Sequence, residues 1–339
     1  MIGERKRPPM SSARLTPLEK HMPAQQTRRK FIGVLATATA AVAADAAGEA
    51  ASKPSPSKII DTHTHFYDPS RPQGVPWPKK EDQLLYRTVL PKDYVALPVP
   101  QPVSGTIVVE ASPWIEDNQW ILDLASREKF IVGFVGNLPV GRPEFRPALR
   151  RFSSNRLFRG IRVAGTALKA GLGDAAFLAD LHLLADANLA LDVVHLADTL
   201  PEVARLAREV PTLRVVIDHV ANVRIDGKEP PARWSHDIAA AGARSNVSCK
   251  VSGLVEGTGR TDGSAPGNCD FYRPVLDTIW RAFGAGRLIY GSNWPVSERF
   301  AKLGTVQQIV TDYFSARGQE TVDRIFWQNS MSVYSWVRR

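Results

Sequence analysis

Apolar runs of strand length alternate with stretches of helical period along most of this chain, and the strand-like runs number eight. They fall at residues 59–66, 105–112, 131–138, 158–163, 190–196, 214–220, 247–254 and 287–293. Between them, Trp120, Leu124 and Ala125 recur at helical spacing, as do Phe177, Leu181, Leu184 and Ala185, then Leu200, Val203, Leu206 and Val210, and finally Leu276, Ile279, Trp280 and Phe283. Strand, crossover helix and parallel strand are what such a rhythm encodes. Eight strands are enough to close a sheet on itself, so the expected fold is α/β, a TIM-type (β/α)8 barrel. The 339 residues suffice for one large domain of this kind. An open doubly wound sheet would carry a Gly-rich phosphate-binding turn after its first strand. Asp61-Thr62-His63 stands there instead.

Such barrels keep their chemistry at the C-terminal ends of the strands, and the polar residues of this chain cluster there. His63 and His65 end the first run, Glu110 and Ser112 the second, Asn137 the third, Arg162 the fourth, His195 the fifth and His219 the sixth; Lys250 and Ser252 lie in the seventh, and Asn293 with Trp294 closes the eighth. Four of the seven histidines thus fall at strand ends. Residues two apart in a strand share a face, which points Asp61, His63 and His65 the same way and makes His63-Thr64-His65 half of a metal site. Asn293 is the anomaly. A hydrolase needs a group to take the proton of its attacking water, and an amide cannot do so.

The leader has its own signal. Thr27-Arg28-Arg29-Lys30-Phe31-Ile32 is a twin-arginine pattern followed by an Ala-rich run and small-residue cleavage options, so residues 1–47 read as a signal peptide for the twin-arginine (Tat) export machinery and predict a periplasmic location. The run is too short and too weakly apolar for a stable membrane span. Residues 48–58 read as a Ser/Pro linker, and residues 59–339 as the barrel domain. Of the formal charge of +9, more than half sits in the leader, which holds eight Lys or Arg against three Asp or Glu. The remainder shows no basic stripe interleaved with aromatics, which argues against nucleic acid as a partner. Cys249 falls in a core strand and Cys269 in a Gly-rich loop, a poor geometry for a bridge. Two loops are long: residues 67–104, with eight prolines, expected to roof the pocket, and residues 256–273, rich in Gly, Ser, Asp and Thr.

Asp61-Thr-His63-Thr-His65-Phe-Tyr-Asp-Pro69, Glu110-Ala-Ser-Pro-Trp114, Phe158-Arg-Gly-Ile-Arg162, Ile217-Asp-His219, Lys250-Val-Ser-Gly-Leu254 and Gly291-Ser-Asn-Trp-Pro295 together resemble the amidohydrolase-related lactonases, a family that includes fuconolactonase, pyrone-dicarboxylate lactonase and sulfomuconolactone hydrolase. The resemblance runs from Ile59 to about Tyr334 and implies a distorted TIM-type (β/α)8 barrel that hydrolyses a sugar-acid or aromatic-derived lactone, a small-molecule substrate, with or without one bound divalent metal. Two departures stand out: Asn293 where the family usually has Asp, and Glu110 where it often has Gln.

On chemical grounds His63 and His65, with His195 or His219 as the third, are the candidate ligands of a zinc or manganese ion. Arg162 and Lys250 are candidates to hold a carboxylate or oxyanion, and Trp294 and Trp114 to wall the substrate. An Arg in a barrel strand can equally pair with Glu110 for purely structural reasons. Asn293, Glu110 and His219 are the candidate catalytic residues. Either the Asn293 oxygen ligates the metal or holds the water while Glu110 or His219 acts as base, or water activation is lost and the chain only binds a lactone or sugar acid. A metal-dependent decarboxylase of the same superfamily is the other alternative.

Overall fold

The computed structural model describes residues 53–195 and 198–339; the leader falls outside them. Eight parallel strands follow one another in sequence order: β1 (Ile60–Thr64), β2 (Gly105–Val109), β3 (Ile131–Gly136), β4 (Phe158–Ala164), β5 (Ala190–Val194), β6 (Arg214–Ile217), β7 (Val247–Val251) and β8 (Leu288–Tyr290). The sheet closes through a parallel bridge between Thr64 and Trp294, with Asn293 N donating to His63 O at 2.8 Å and His65 N donating to Trp294 O at 2.9 Å. This is the TIM-type barrel that the alternation predicts.

Most strands are buried along their whole length because helices cover the outer face and side chains fill the inside. The four periodic segments are helical at Asp117–Arg127, Ala175–Asp186, Leu200–Glu209 and Cys269–Phe283, each laying its apolar positions against the barrel. The last of these begins inside the expected 256–273 loop. Its start is set by the Asn268 side chain, which accepts from Asp270 N and so satisfies a free helix-terminal donor.

The strands end earlier than the apolar runs suggest, and the reason bears on function. His195, His219 and Asn293, expected within strands, lie just beyond them with φ of 56°, 52° and 58°. A left-handed residue at a strand exit turns the chain at once, so its side chain no longer follows the strand's in-and-out alternation. Residues 67–104 form an irregular excursion containing one short helix, Pro91–Val95. That excursion brings the Trp77 ring to 5.8 Å from the His65 ring, roofing this part of the barrel. The Ser/Pro segment is tied down: Ser57 donates to Asp323, Ser315 to Pro54 O and Gln319 to Ser55 O. Cys249 and Cys269 are both free.

Candidate active site

His63, His65 and His219 converge at the C-terminal mouth, with the His63 ring 5.0 Å from that of His65 and 4.3 Å from that of His219. Two glycines permit this. At Gly253, φ +66°, a Cβ would sit 2.5 Å from His219 Cβ, and at Gly291 it would sit 2.9 Å from His63 Cβ. All three histidines are almost wholly buried. Burial is the main cause that depresses their basicity, helped at His63 by Lys250 and at His65 by Arg162; His65 falls to about 4 and His219 to about 3, while His63 lies well below its ordinary value. The site therefore presents neutral imidazoles at physiological pH.

Beneath them lies a fully buried charge cluster. Lys250 Nζ contacts Asp192 Oδ2 at 2.5 Å, Asp218 Oδ1 at 3.1 Å and His63 Nδ1 at 3.1 Å. Tyr334 donates to Asp192 at 2.8 Å. Burial lifts Asp192 to about 6, against the pull of Lys250. Burial opposes ionisation of Asp218 as well, but Lys250 and the neighbouring imidazoles more than offset it and hold that carboxyl well below the usual range. Lys250 is thus a structural counter-ion at 0% exposure. The expectation that it binds substrate is corrected, because both its charge and its approach are taken up by Asp192 and Asp218.

His63, Asp218 and His219 offer ligand atoms that all lie within 4.8 Å of one another. His63 Nε2 is buried without a hydrogen-bond partner, and neither Asp218 oxygen receives a well-aligned hydrogen bond. His219 Nδ1 contacts Ser252 Oγ at 2.9 Å, which fixes the ring and leaves Nε2 free. Two imidazoles and a carboxylate, with their own supporting partners, fit one divalent ion of borderline softness. Of the expected candidates this set keeps His63 and His219, and it adds Asp218. His195 does not join it: its left-handed backbone, with N donating to Asn222 Oδ1, leaves it exposed beside Arg162 on the wall of an open cleft of about 470 Å³. His65 is directed elsewhere, with Nδ1 2.9 Å from Val109 O and Nε2 3.2 Å from Asn293 Oδ1.

The remaining candidates separate by contact. Glu110 and Arg162 both line the cleft and pair with each other, Arg162 Nε donating to Glu110 Oε1 at 2.9 Å and Nη2 to Glu110 O at 2.7 Å. Of the two readings of Arg162, the structural pairing is present. The Glu110 carboxylate is committed to the Arg162 guanidinium, so it is ill placed to activate water. Trp294 is corrected too: at 1% exposure it packs against Phe66 and Tyr94 and donates Nε1 to Glu298 at 2.6 Å, so no face is open to substrate. Trp114 is 40% exposed on a second open recess at the mouth, beside Asn137. Asp61 does not share the histidines' direction. A register irregularity between Asp61 and Thr64 turns its carboxylate back to accept from Tyr94 Oη, Ser292 N and His63 N.

Sequence reasoning missed Asp218, Asp192, Tyr334 and Glu256 as members of the site. Asp218 was legible as the neighbour of His219. Asp192 sits mid-strand in an apolar run, and a lone acid there is itself a sign of a buried partner. Tyr334 and Glu256 come from beyond the strand ends and carry no pattern.

A sequence profile of the family described as amidohydrolase matches residues 60–336. Over 247 residues, 72% of this chain and 83% of the relative, the sequence is 31% identical to an L-fucono-1,5-lactonase of Burkholderia ambifaria. Among solved structures, the fold resembles an amidohydrolase from Burkholderia multivorans with bound zinc, at a TM-score of 0.73 and 25% identity over 82% of this chain and 99% of that one. A provisionally assigned 2-pyrone-4,6-dicarboxylic acid hydrolase from Acinetobacter baumannii, with citric acid bound, shares the fold at a TM-score of 0.63 and 16% identity, covering 82% and 99% of the two chains.

Proposed function

We propose that this chain, which belongs to the amidohydrolase family, is a lactonase that opens an uncharged sugar-acid lactone. The observation that carries the reading is the group of neutral histidines over the Asp218–Lys250 pair, set at the barrel mouth of a chain 31% identical to a fuconolactonase. The choice of an uncharged substrate follows from the cleft. Glu110 already neutralises Arg162, the less exposed of the two arginines that line it, and leaves Arg142 at the solvent-exposed edge. At Arg162 an extra carboxylate would meet a spent cation, whereas sugar hydroxyls can bond to Asn137, His195 and the outer edge of the pair.

His63, Asp218 and His219 would hold one divalent ion, zinc or manganese, which when bound polarises a carbonyl or acidifies a water. The chain's own residues do the rest. Ser252 and the close approach of Gly253 fix His219, Gly291 lets His63 approach, and Trp77 keeps water from His65. The test is acid release from a panel of neutral sugar lactones and carboxylated lactones, alongside metal analysis. One equivalent of bound metal, lost in His63→Ala and Asp218→Asn, and faster opening of the neutral lactones are expected. No hydrolysis of any lactone refutes the reading.

We further propose that the chain is exported, a reading that rests on the leader sequence alone. Among the described residues no helix is long and apolar enough to cross a membrane, and Arg28-Arg29 precedes an Ala-rich run. Export by the Tat machinery to the periplasm predicts that Arg28→Lys with Arg29→Lys retains the protein in the cytoplasm on fractionation. Periplasmic recovery of that variant would refute it.

A further inference from the structure

The family's β8 aspartate is absent, yet an unassigned carboxylate stands behind the residue that replaces it. Asn293 Nδ2 donates to Glu256 Oε1 at 2.9 Å. Glu256 lies in a single helical turn, Leu254–Gly257, directly after β7, and its second oxygen, Oε2, is buried with no hydrogen-bond partner. We propose that Glu256 is the general base that takes the proton of the attacking water, with Asn293 as its positioning residue.

The hydrogen bonds around Asn293 supply the physical reason. Val109 O can only accept, so the His65 proton belongs on Nδ1, and His65 Nε2 then presents a lone pair. That lone pair faces Asn293 Oδ1 at 3.2 Å, another acceptor. With Glu256 ionised the amide must keep its NH2 on Glu256, and the contact with His65 stays unsatisfied. Once Glu256 has taken a proton, the amide can turn over. Its NH2 then donates to His65 Nε2 and its oxygen accepts from the Glu256 hydroxyl, which satisfies every group in the row. The protonated base is therefore the better-bonded state, and His65 need not change its charge.

The surroundings work in the same direction. Burial lifts Glu256 to about 7, with Asn293 opposing. The ionisable group that feels its charge from the helix Cys269–Phe283 is Tyr272, whose hydroxyl donates to Pro266 O and does not neutralise it. Arg260, in the loop between, also acts on Tyr272 but is not paired with Glu256. Ile225 packs against the neighbouring Gly257 position. A carboxylate poised near 7 has the driving force that proton abstraction at neutral pH needs.

In the step itself, the water oxygen bonds to the lactone carbonyl carbon as its proton passes to Glu256, giving a tetrahedral oxyanion. The oxyanion collapses, the ring C–O bond breaks, and the proton on Glu256 passes to the departing alkoxide. The products are the hydroxy acid and the regenerated carboxylate. Nothing is oxidised or reduced.

The proposal rests on the lactonase reading. Glu256→Gln, Asn293→Asp and the double variant are assayed on the best lactone, with thermal melting as the check on folding. Glu256→Gln should lower kcat about 100-fold or more at nearly unchanged KM, and remove the acid limb of the kcat profile near pH 7. The double variant, which restores a carboxylate at 293, should recover at least tenfold of that loss. Wild-type kcat and an unmoved acid limb in a folded Glu256→Gln, or no recovery in a folded double variant, overturn the assignment. A wild type inactive on every lactone overturns the functional reading instead.

Discussion

Gly253→Ala is the sharpest test of how this barrel holds its chemistry, because its two effects can be worked out separately. The first is backbone strain. Gly253 has φ +66°, and a side chain in the left-handed region costs about 1–2 kcal/mol. The second is displacement. The new methyl would stand 2.5 Å from His219 Cβ, whereas ordinary contact begins at 3.4 Å, so the histidine must retreat by on the order of 1 Å. His219 cannot retreat freely, because its Nδ1 contact to Ser252 Oγ at 2.9 Å ties it to the residue before the substituted glycine. A misplacement of about 1 Å at a reacting group costs about 100-fold in rate, or about 2.7 kcal/mol at about 1.36 kcal/mol per tenfold. The expected result is a kcat reduced about 100-fold with melting lowered by only a few degrees. Gly173→Ala, where a Cβ would meet nothing within 4 Å and φ is not positive, is the matched control and should change neither. If Gly253→Ala retained wild-type kcat, the placement of His219 in the chemistry would be refuted. If kcat fell only in proportion to a general loss of folded protein, the separation of the two effects would be refuted.

Lys250→Met should destabilise the metal-stripped protein by about 3–5 kcal/mol, and by more at pH 8 than at pH 5 in urea denaturation. The wild-type Asp218 carboxyl lies below its unfolded value, so its contribution is present above that value and lost on acidification. Without Lys250, burial raises the carboxyls, and the variant loses stability as pH rises through their new values; equal deficits at both pH values would point to packing alone. Glu110→Gln frees the Arg162 charge and should raise kcat/KM for a carboxylated lactone about tenfold relative to a neutral one, from a charge-assisted hydrogen bond of about 1.5–3 kcal/mol; an unchanged ratio would remove the pair from selectivity. Trp77→Ala uncovers His65 and should lower kcat/KM severalfold without changing metal content; a lost metal would show that the roof supports the ligands instead.

The barrel was legible because its information is local and repeated: period-2 or continuous apolar runs, period-3.6 stretches and turn residues between them, each consistent with the next. The site was legible where chemistry coincides with strand ends. His63, His65, His219, Arg162 and Glu110 all reach the mouth or its rim. Depth was not legible. Lys250 and Arg162 read alike as cations in strands, yet one is sealed under two carboxylates and the other lines the open cleft, a difference set by which partners the barrel brings within reach. Trp294 was misread for the same reason. Its position at a strand end is right, but the ring is taken up in the packing of Phe66 and Tyr94.

The exchange at Asn293 then has a consistent electrostatic account. Asp192, Asp218 and Lys250 leave one net negative charge under three neutral imidazoles, and the Arg162–Glu110 pair adds none. An aspartate at 293 would place a further carboxylate beside His65, directly on the rim of that negative interior. An amide at 293 leaves the charge on its partner Glu256, where the site still gains a proton acceptor whose ionisation is opposed by burial and not by Asp218. The two arrangements should therefore differ in cation dependence: Asn293→Asp should bind the divalent ion more tightly than the wild type, by about the Coulomb energy of one added charge, on the order of 1 kcal/mol or about fivefold in Kd at an effective dielectric near 20–80. Isothermal titration of the stripped proteins with zinc measures this directly, and equal affinities would show that the charge at 293 is not felt by the His63–Asp218–His219 cluster.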